Sequence, residues 1–347
     1  MNTGQREPFP TWLRHNKGVR SRVMFESRIG VRMVLSFLVF FSSILTLSTE
    51  SSALTVVKKY YTEKPPTIAI LDTGIDTELP IFEGRILLEV CVIEWASCPN
   101  GLREMEGPGA AQLPALLYDN WSFHHGTEMA SVAVQTNRDV KIVFVRIIGA
   151  NLNGNRQYTS ETTVELALDW ILQNSKRLGI QAVSMSQGHH NLGPGKTNYC
   201  PKSVKVEQKI KSLQKIDIPV FFPTGNTRDY ERIDWPSCIE SAIAIAATSR
   251  DGTGAPYSNH DPLLVDFFAP GSARVMTVGG NFKNITGTSG ANVVAATHWA
   301  TMKAAHPKLS YSDIYSLFRK TAVTTTSSYT FWGKLIDFEA AMNEALQ

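Results

Sequence analysis

The sequence predicts an α/β domain with a mainly parallel central sheet and helices on both of its faces. Three observations lead there. From Pro66 onward, short apolar β-rich runs take turns with segments of helical periodicity, the alternation that parallel sheets require. Several of those runs end on polar residues, as in Ile68-Ala69-Ile70-Leu71 followed by Asp72, and the carboxyl ends of parallel strands are where such sheets gather ligands and chemistry. After residue 65 there is no internal repeat, low-complexity tract or long linker, so residues 66–347 read as one domain.

The elements follow in order. Residues 1–33 carry seven Lys/Arg against Glu7 and Glu26, leaving 27 basic and 29 acidic residues of the 34 and 31 in the chain. A net of −2 beyond that segment gives no footprint for nucleic acid. The uncharged run MVLSFLVFFSSILTL (33–47) has signal-peptide length and falls short of the ~20 residues of a spanning helix. Ser51-Ser52-Ala53 is a small-x-small pattern suited to cleavage after Ala53. Residues 1–53 are therefore expected to be a basic lead with a signal peptide or signal anchor, 54–65 a short linker, and the product exported or held to the membrane through residues 33–47. Translation from Met24 would leave a conventional basic lead. All four cysteines follow this segment, as disulfides in an oxidising compartment would. Of three possible pairings, Cys91–Cys98, which closes a short loop, with Cys200–Cys238 is the one expected.

Strands are expected at 67–72, 86–93, 140–148, 182–186, 219–224 and 242–248. A helix over 160–179 follows from the Ser-x-x-Thr opening, the one-face spacing of Val164, Leu168, Ile171 and Leu172, and the stop at Gly179. Residues 204–216 repeat the pattern, with Lys and Glu on the outer face. Two further helices open on polar groups, in FHHGTEMASVAVQ (123–135) and NITGTSGANVVAATHWA (284–300).

Taken singly, Asp72 is a turn residue, His125 a capping group and Gly287-Thr288-Ser289-Gly290 a loop. Together they supply a carboxylate, an imidazole and a hydroxyl, the three parts nucleophilic acyl transfer requires. A serine hydroxyl is a weak nucleophile until a base takes its proton; a carboxylate fixes the tautomer of that base and steadies the imidazolium.

Asp72-Thr73-Gly74, His125-Gly126-Thr127 and Gly287-Thr288-Ser289 stand in the order and contexts of the subtilisin-like serine proteases, and roughly residues 66–345 resemble that family. PVFFPTGN resembles its segment ending in the oxyanion asparagine, and FFAPG the turn before its nucleophile. The resemblance implies a subtilisin-like fold and a serine endopeptidase, with Ser289 as nucleophile, His125 as base and then acid, Asp72 as orienting carboxylate and Asn226 as oxyanion donor. It also implies that Ser186-Gln187-Gly188 holds an extended peptide and that Pro223-Thr224-Gly225 walls the first specificity pocket. The expected partner is a peptide or protein substrate, without a cofactor.

Departures from the family pattern are visible. Gly290-Ala291-Asn292-Val293 replaces Met-Ala-x-Pro, Glu128 stands where a second histidine is common, and His189 and His190 replace small residues. QTNRD runs almost directly into the next strand, without the loop that supplies a calcium site in many members, so no metal is expected. Two rivals remain: a catalytically silent scaffold that binds a peptide or protein, and a metal site made of His124, His125, His189 and His190, which no HExxH or Cys/His spacing supports.

Overall fold

The computed structural model describes residues 62, 64–95, 98–151, 153–190, 200–326 and 332–346. The chain divides into residues 1–57 and 58–347, and every described residue falls in the second unit. The basic lead, the run 33–47 and the pattern ending at Ala53 lie outside the described residues. Among the described residues no helix is long and apolar enough to cross a membrane.

The strands are β1 (Thr67–Asp72), β2 (Ile86–Val92), β3 (Glu104–Glu106), β4 (Lys141–Arg146), β5 (Ala182–Met185), β6 (Val220–Pro223), β7 (Ile243–Thr248), β8 (Phe267–Pro270), β9 (Ser272–Met276), β10 (Phe282–Thr286), β11 (Val323–Thr326) and β12 (Trp332–Leu335). The helices are α1 (His125–Thr136), α2 (Glu161–Leu178), α3 (Val204–Gln214), α4 (Thr288–Ala305), α5 (Tyr311–Thr321) and α6 (Phe338–Glu344). Ten strands form one sheet in the order β11-β12-β8-β7-β6-β5-β1-β4-β2-β3, and β9 and β10 make a separate hairpin. Within the sheet only the outermost pairs, β2 with β3 and β11 with β12, run antiparallel.

Period-two alternation along β1 sorts its side chains. Ile68 and Ile70 enter the core layer that holds α1 and α4, while Ala69 and Leu71 enter the layer under α2 and α3. Asp72 continues the Ile68–Ile70 series, so the pleat aims its carboxylate at the α1–α4 side. β1 lies between β4 and β5 in parallel register, which makes its end the point where chain order reverses and a crevice opens. Helix α4 lies between the sheet and α5, and its Val293, Ala296, Trp299 and Ala300 are buried.

Helix α2 begins and ends as its sequence predicts: the Ser160 side chain accepts from the Thr163 N–H, and Gly179 terminates the helix. FFAP is not only a turn. Phe267–Pro270 forms strand β8, in parallel pairing with β7. The Phe123 that opens the segment 123–135 belongs to a 3₁₀ turn, and α1 begins at His125.

Cys91 is joined to Cys98 and Cys200 to Cys238, across 7 and 38 residues of chain. Loop-closure entropy assigns about 2 kcal/mol to the shorter crosslink and about 4 kcal/mol to the longer. Replacing Cys200 and Cys238 together by serine is therefore expected to lower the urea midpoint more than replacing Cys91 and Cys98; equal losses would refute this ranking.

Candidate active site

A charged side chain at the end of a fully buried strand must be compensated. Asp72 is completely buried, and four contacts do so. Its Oδ1 accepts from the Thr73 N–H at 2.7 Å and from the Gln187 side-chain amide at 2.7 Å, and the Nδ1 of His125 lies 2.9 Å from each of its two oxygens.

His125 reaches that carboxylate because the turn after β1 is tied to the start of α1. The Thr73 hydroxyl donates to the carbonyl of Phe123 at 2.8 Å and accepts from the Gly126 N–H at 3.0 Å, bracketing His125. Gly126 is required by space. A Cβ there would meet the Gly74 carbonyl oxygen at 2.3 Å and the Phe144 ring at 2.7 Å.

Burial pulls the His125 imidazole toward lower pKa, while the Asp72 charge and hydrogen bond push it up, with smaller opposed effects from Arg156 and Glu128. The balance lies above the ordinary histidine value. The Gln187 amide nitrogen and His125 Nδ1 lie 3.1 Å apart because both address the same carboxylate. Gln187 is oriented in turn by the Arg156 guanidinium, which donates to its Oε1.

Ser289 sits in the first turn of α4, half-buried, with its carbonyl oxygen accepting from the Ser186 hydroxyl at 3.1 Å. Asn226, after β6, is turned by α4 itself: its Oδ1 accepts from the Thr288 N–H at 2.9 Å and the Thr288 hydroxyl at 3.1 Å. That leaves its NH₂ group, beside Gly287 at the start of α4, as the donor still to be used. Within α4 the buried Asn292 amide donates to Ser184 Oγ at 3.0 Å and to the Phe221 carbonyl at 3.2 Å, fixing the helix against β5 and β6.

His125, Asn226 and Ser289 line two adjoining cavities. One, about 190 Å³, is bounded by Ser186, Gln187, Gly188, Pro223, Gly225 and Asp234; the other, about 360 Å³, runs beneath Glu128, Lys283 and Thr286. Asp72 and His125 are in direct contact, and Ser289 shares both cavities with His125; no hydrogen bond from Ser289 Oγ to the imidazole occurs among the described residues. A larger cavity of about 730 Å³ lies at the other end of the sheet, beside Thr67 and Lys141, which begin β1 and β4.

The sequence profile described as Subtilase family matches residues 63–333. The chain belongs to the subtilase family. As a subtilase it is a serine-type endopeptidase with an α/β fold of that kind. Subtilisin Savinase of Lederbergia lenta is 23% identical over 286 residues, covering 79% of this subtilase and 89% of its own length. The alkaline protease of Alkalihalobacillus alcalophilus is also 23% identical, with 79% and 63% covered. Among solved structures, a mutant of the protease domain of PatA superposes with a TM-score of 0.64 at 15% identity, covering 82% of this subtilase and 97% of that chain. A protease of Pseudoalteromonas arctica gives 0.64 at 20% identity, covering 82% and 91%. These superpositions show a shared fold.

The segments expected to wall the first pocket divide. Pro223 and Gly225 line the smaller cavity of this subtilase, whereas Thr224 is buried behind them. Sequence reasoning gave Gln187 to substrate binding only and did not find its contact with Asp72, nor Arg156, since nothing local marks either. Glu128 also acquires a role: it is buried, accepts from Lys283 Nζ at 2.6 Å and from the Thr277 hydroxyl at 3.1 Å, and so ties α1 to the hairpin before Ser289. The other three histidines of the rival metal site are engaged. His124 Nε2 lies 2.6 Å from the Tyr118 carbonyl, His189 packs on Trp235 with ring centroids 4.9 Å apart, and His190 Nδ1 is 2.8 Å from Asp234. Among the described residues no group of three His, Cys, Asp or Glu could hold a metal ion.

Proposed function

We propose that this subtilase is an exported endopeptidase in which Asp72, His125 and Ser289 are the catalytic triad and the Asn226 amide is an oxyanion donor. The reading is carried by one observation: a buried carboxylate holds His125 Nδ1 at 2.9 Å at the edge of the cleft that Ser289 lines. With Nδ1–H given to Asp72, Nε2 is left as the base.

Ser289 Oγ attacks the scissile carbonyl as His125 Nε2 takes its proton. The carbonyl oxygen becomes an oxyanion, stabilised by the Asn226 NH₂ and by the N–H of Ser289 at the start of α4. Collapse of the tetrahedral intermediate expels the amine, which receives the proton from His125, and leaves an acyl-enzyme. Water then attacks the ester with His125 as base, releasing the acid and restoring Ser289. Catalytic hydrogen bonds that are long in a free enzyme tighten in the substrate complex. Segment 186–188 follows β5 at the rim of the cleft and offers main-chain groups to an extended peptide. Export fits the two disulfides together with the basic lead and the uncharged run 33–47.

A fluorophosphonate probe should label the wild-type protein and not Ser289→Ala. An unlabelled wild type would refute the assignment and leave a silent peptide-binding scaffold. The pH dependence has a definite sign. Neutral imidazole is the active form, so kcat/KM rises with pH, and because Asp72 outweighs burial the inflection should fall above the ordinary histidine value of 6.5. An inflection below it would contradict the electrostatic balance described above.

A further inference from the structure

The smaller cavity opens beside Ser289 between the segments that follow β5 and β6, and it carries a charge that the triad does not use. Asp234 lines it, with a side chain only 17% exposed. Its backbone is fixed to both walls. The Asp234 N–H donates to the Thr224 carbonyl at 2.9 Å, and the next residue, Trp235, exchanges main-chain hydrogen bonds with His189 at 3.1 and 3.2 Å.

The two carboxylate oxygens differ. Oδ1 is occupied, with His190 Nδ1 at 2.8 Å and the Asn259 amide donating at 3.1 Å. Oδ2 accepts no hydrogen bond among the described residues and stands against Gly225. A Cβ on Gly225, whose φ is +107°, would lie 2.3 Å from it, so the glycine keeps the approach to Oδ2 open. His190 is shared with Asp229, whose Oδ2 is 3.9 Å from Nε2. The cation on the same cavity, Arg156, is committed to Gln187 beside His125. Burial pushes the Asp234 carboxyl above its ordinary range, and His190 and Asn259 offset this only in part. A carboxylate so placed, partly desolvated with one oxygen unpaired, is completed by a cation and disfavours an anion or a purely apolar group.

We propose that Asp234 is the specificity-determining residue of this site, its Oδ2 receiving the ammonium or guanidinium of a lysine or arginine immediately N-terminal to the scissile bond. The inference rests on the reading of Ser289 as nucleophile. It defines the substrate class as peptides cut after basic residues, with the methylenes of the basic side chain lying along Gly225 and Pro223 and its charge ending on the cavity floor.

Matched peptide substrates varied only at that position test it. Arginine or lysine should exceed leucine, phenylalanine and glutamate in kcat/KM on the order of 10²-fold, and Asp234→Asn should erase most of that ratio while fluorophosphonate labelling persists. Because Asp234 also holds His190 and Asn259, the wild type supplies a second measurement that needs no variant. Benzamidine should slow labelling of Ser289, whereas its neutral counterpart benzamide should not. Equal cleavage after leucine and arginine, a preference unchanged in Asp234→Asn, or equal protection by the two compounds would each overturn the inference while leaving the triad intact. Failure of the wild type to label would remove the nucleophile, and the inference with it.

Discussion

Ser289→Ala is expected to lower kcat by about 10⁶-fold while leaving the folded state within about 0.5 kcal/mol of the wild type. Both halves follow from the surroundings of the residue. Its carbonyl oxygen is held by Ser186, an interaction the substitution preserves, and its hydroxyl makes no hydrogen bond among the described residues. Alanine is also the better helix former in the first turn of α4. The loss should therefore be chemical and not structural. The scale is that on which the triads of related subtilisins operate, where removing the nucleophile alone costs about as much as removing the whole triad. Adding Asp72→Asn to Ser289→Ala should consequently cause little further loss. Single-turnover cleavage with a thermal melt on the same samples checks both statements. Activity within about tenfold of the wild type would show that another group is the nucleophile.

Asp72→Asn is expected to lower kcat by about 10⁴-fold and to move the pH inflection down. The asparagine Oδ1 can still accept from Thr73 and Gln187, so the end of β1 keeps two of its fixings. What changes is the atom facing His125. An NH₂ group in place of the second carboxylate oxygen makes Nδ1 an acceptor and puts the proton on Nε2, where it cannot take one from Ser289. Burial still lowers the imidazole, but the Asp72 charge and hydrogen bond that outweighed it are gone. The imidazolium is then less stable, and the rise in kcat/KM should occur at lower pH than in the wild type. A profile with the inflection unmoved or raised would mean that Asp72 does not set the charge state of the base.

The segments with strong local signals could be read in the amino-acid sequence. The run Ile68–Leu71, the capped amphipathic stretch 160–179 and the three triad motifs are each decided by neighbours a few residues away, and the structure places their elements accordingly. The region from 267 to 335 was less legible. Strands β8, β11 and β12 pair with partners that the local pattern does not name, and Phe267–Pro270 looks like a turn until β7 lies beside it. Helix α5 was within reach: Ser310 and Asp313 form a capping box before Ile314 and Phe318, an arrangement visible in the spacing alone.

By itself, the sequence determined the alternation that makes a parallel sheet, the chemical kinds that meet at its rim, and the family to which the chain belongs. Tertiary structure alone decided that Gln187 serves the Asp72 carboxylate, that Glu128 pairs with Lys283, and that Asp234 lines the cleft with one oxygen unpaired among the described residues. The physical reason is distance along the chain. Periodicity, capping and motif spacing act over a few residues, whereas the partner of a buried charge is whichever group the packing brings within reach, here 115 residues away for Gln187 and Asp72.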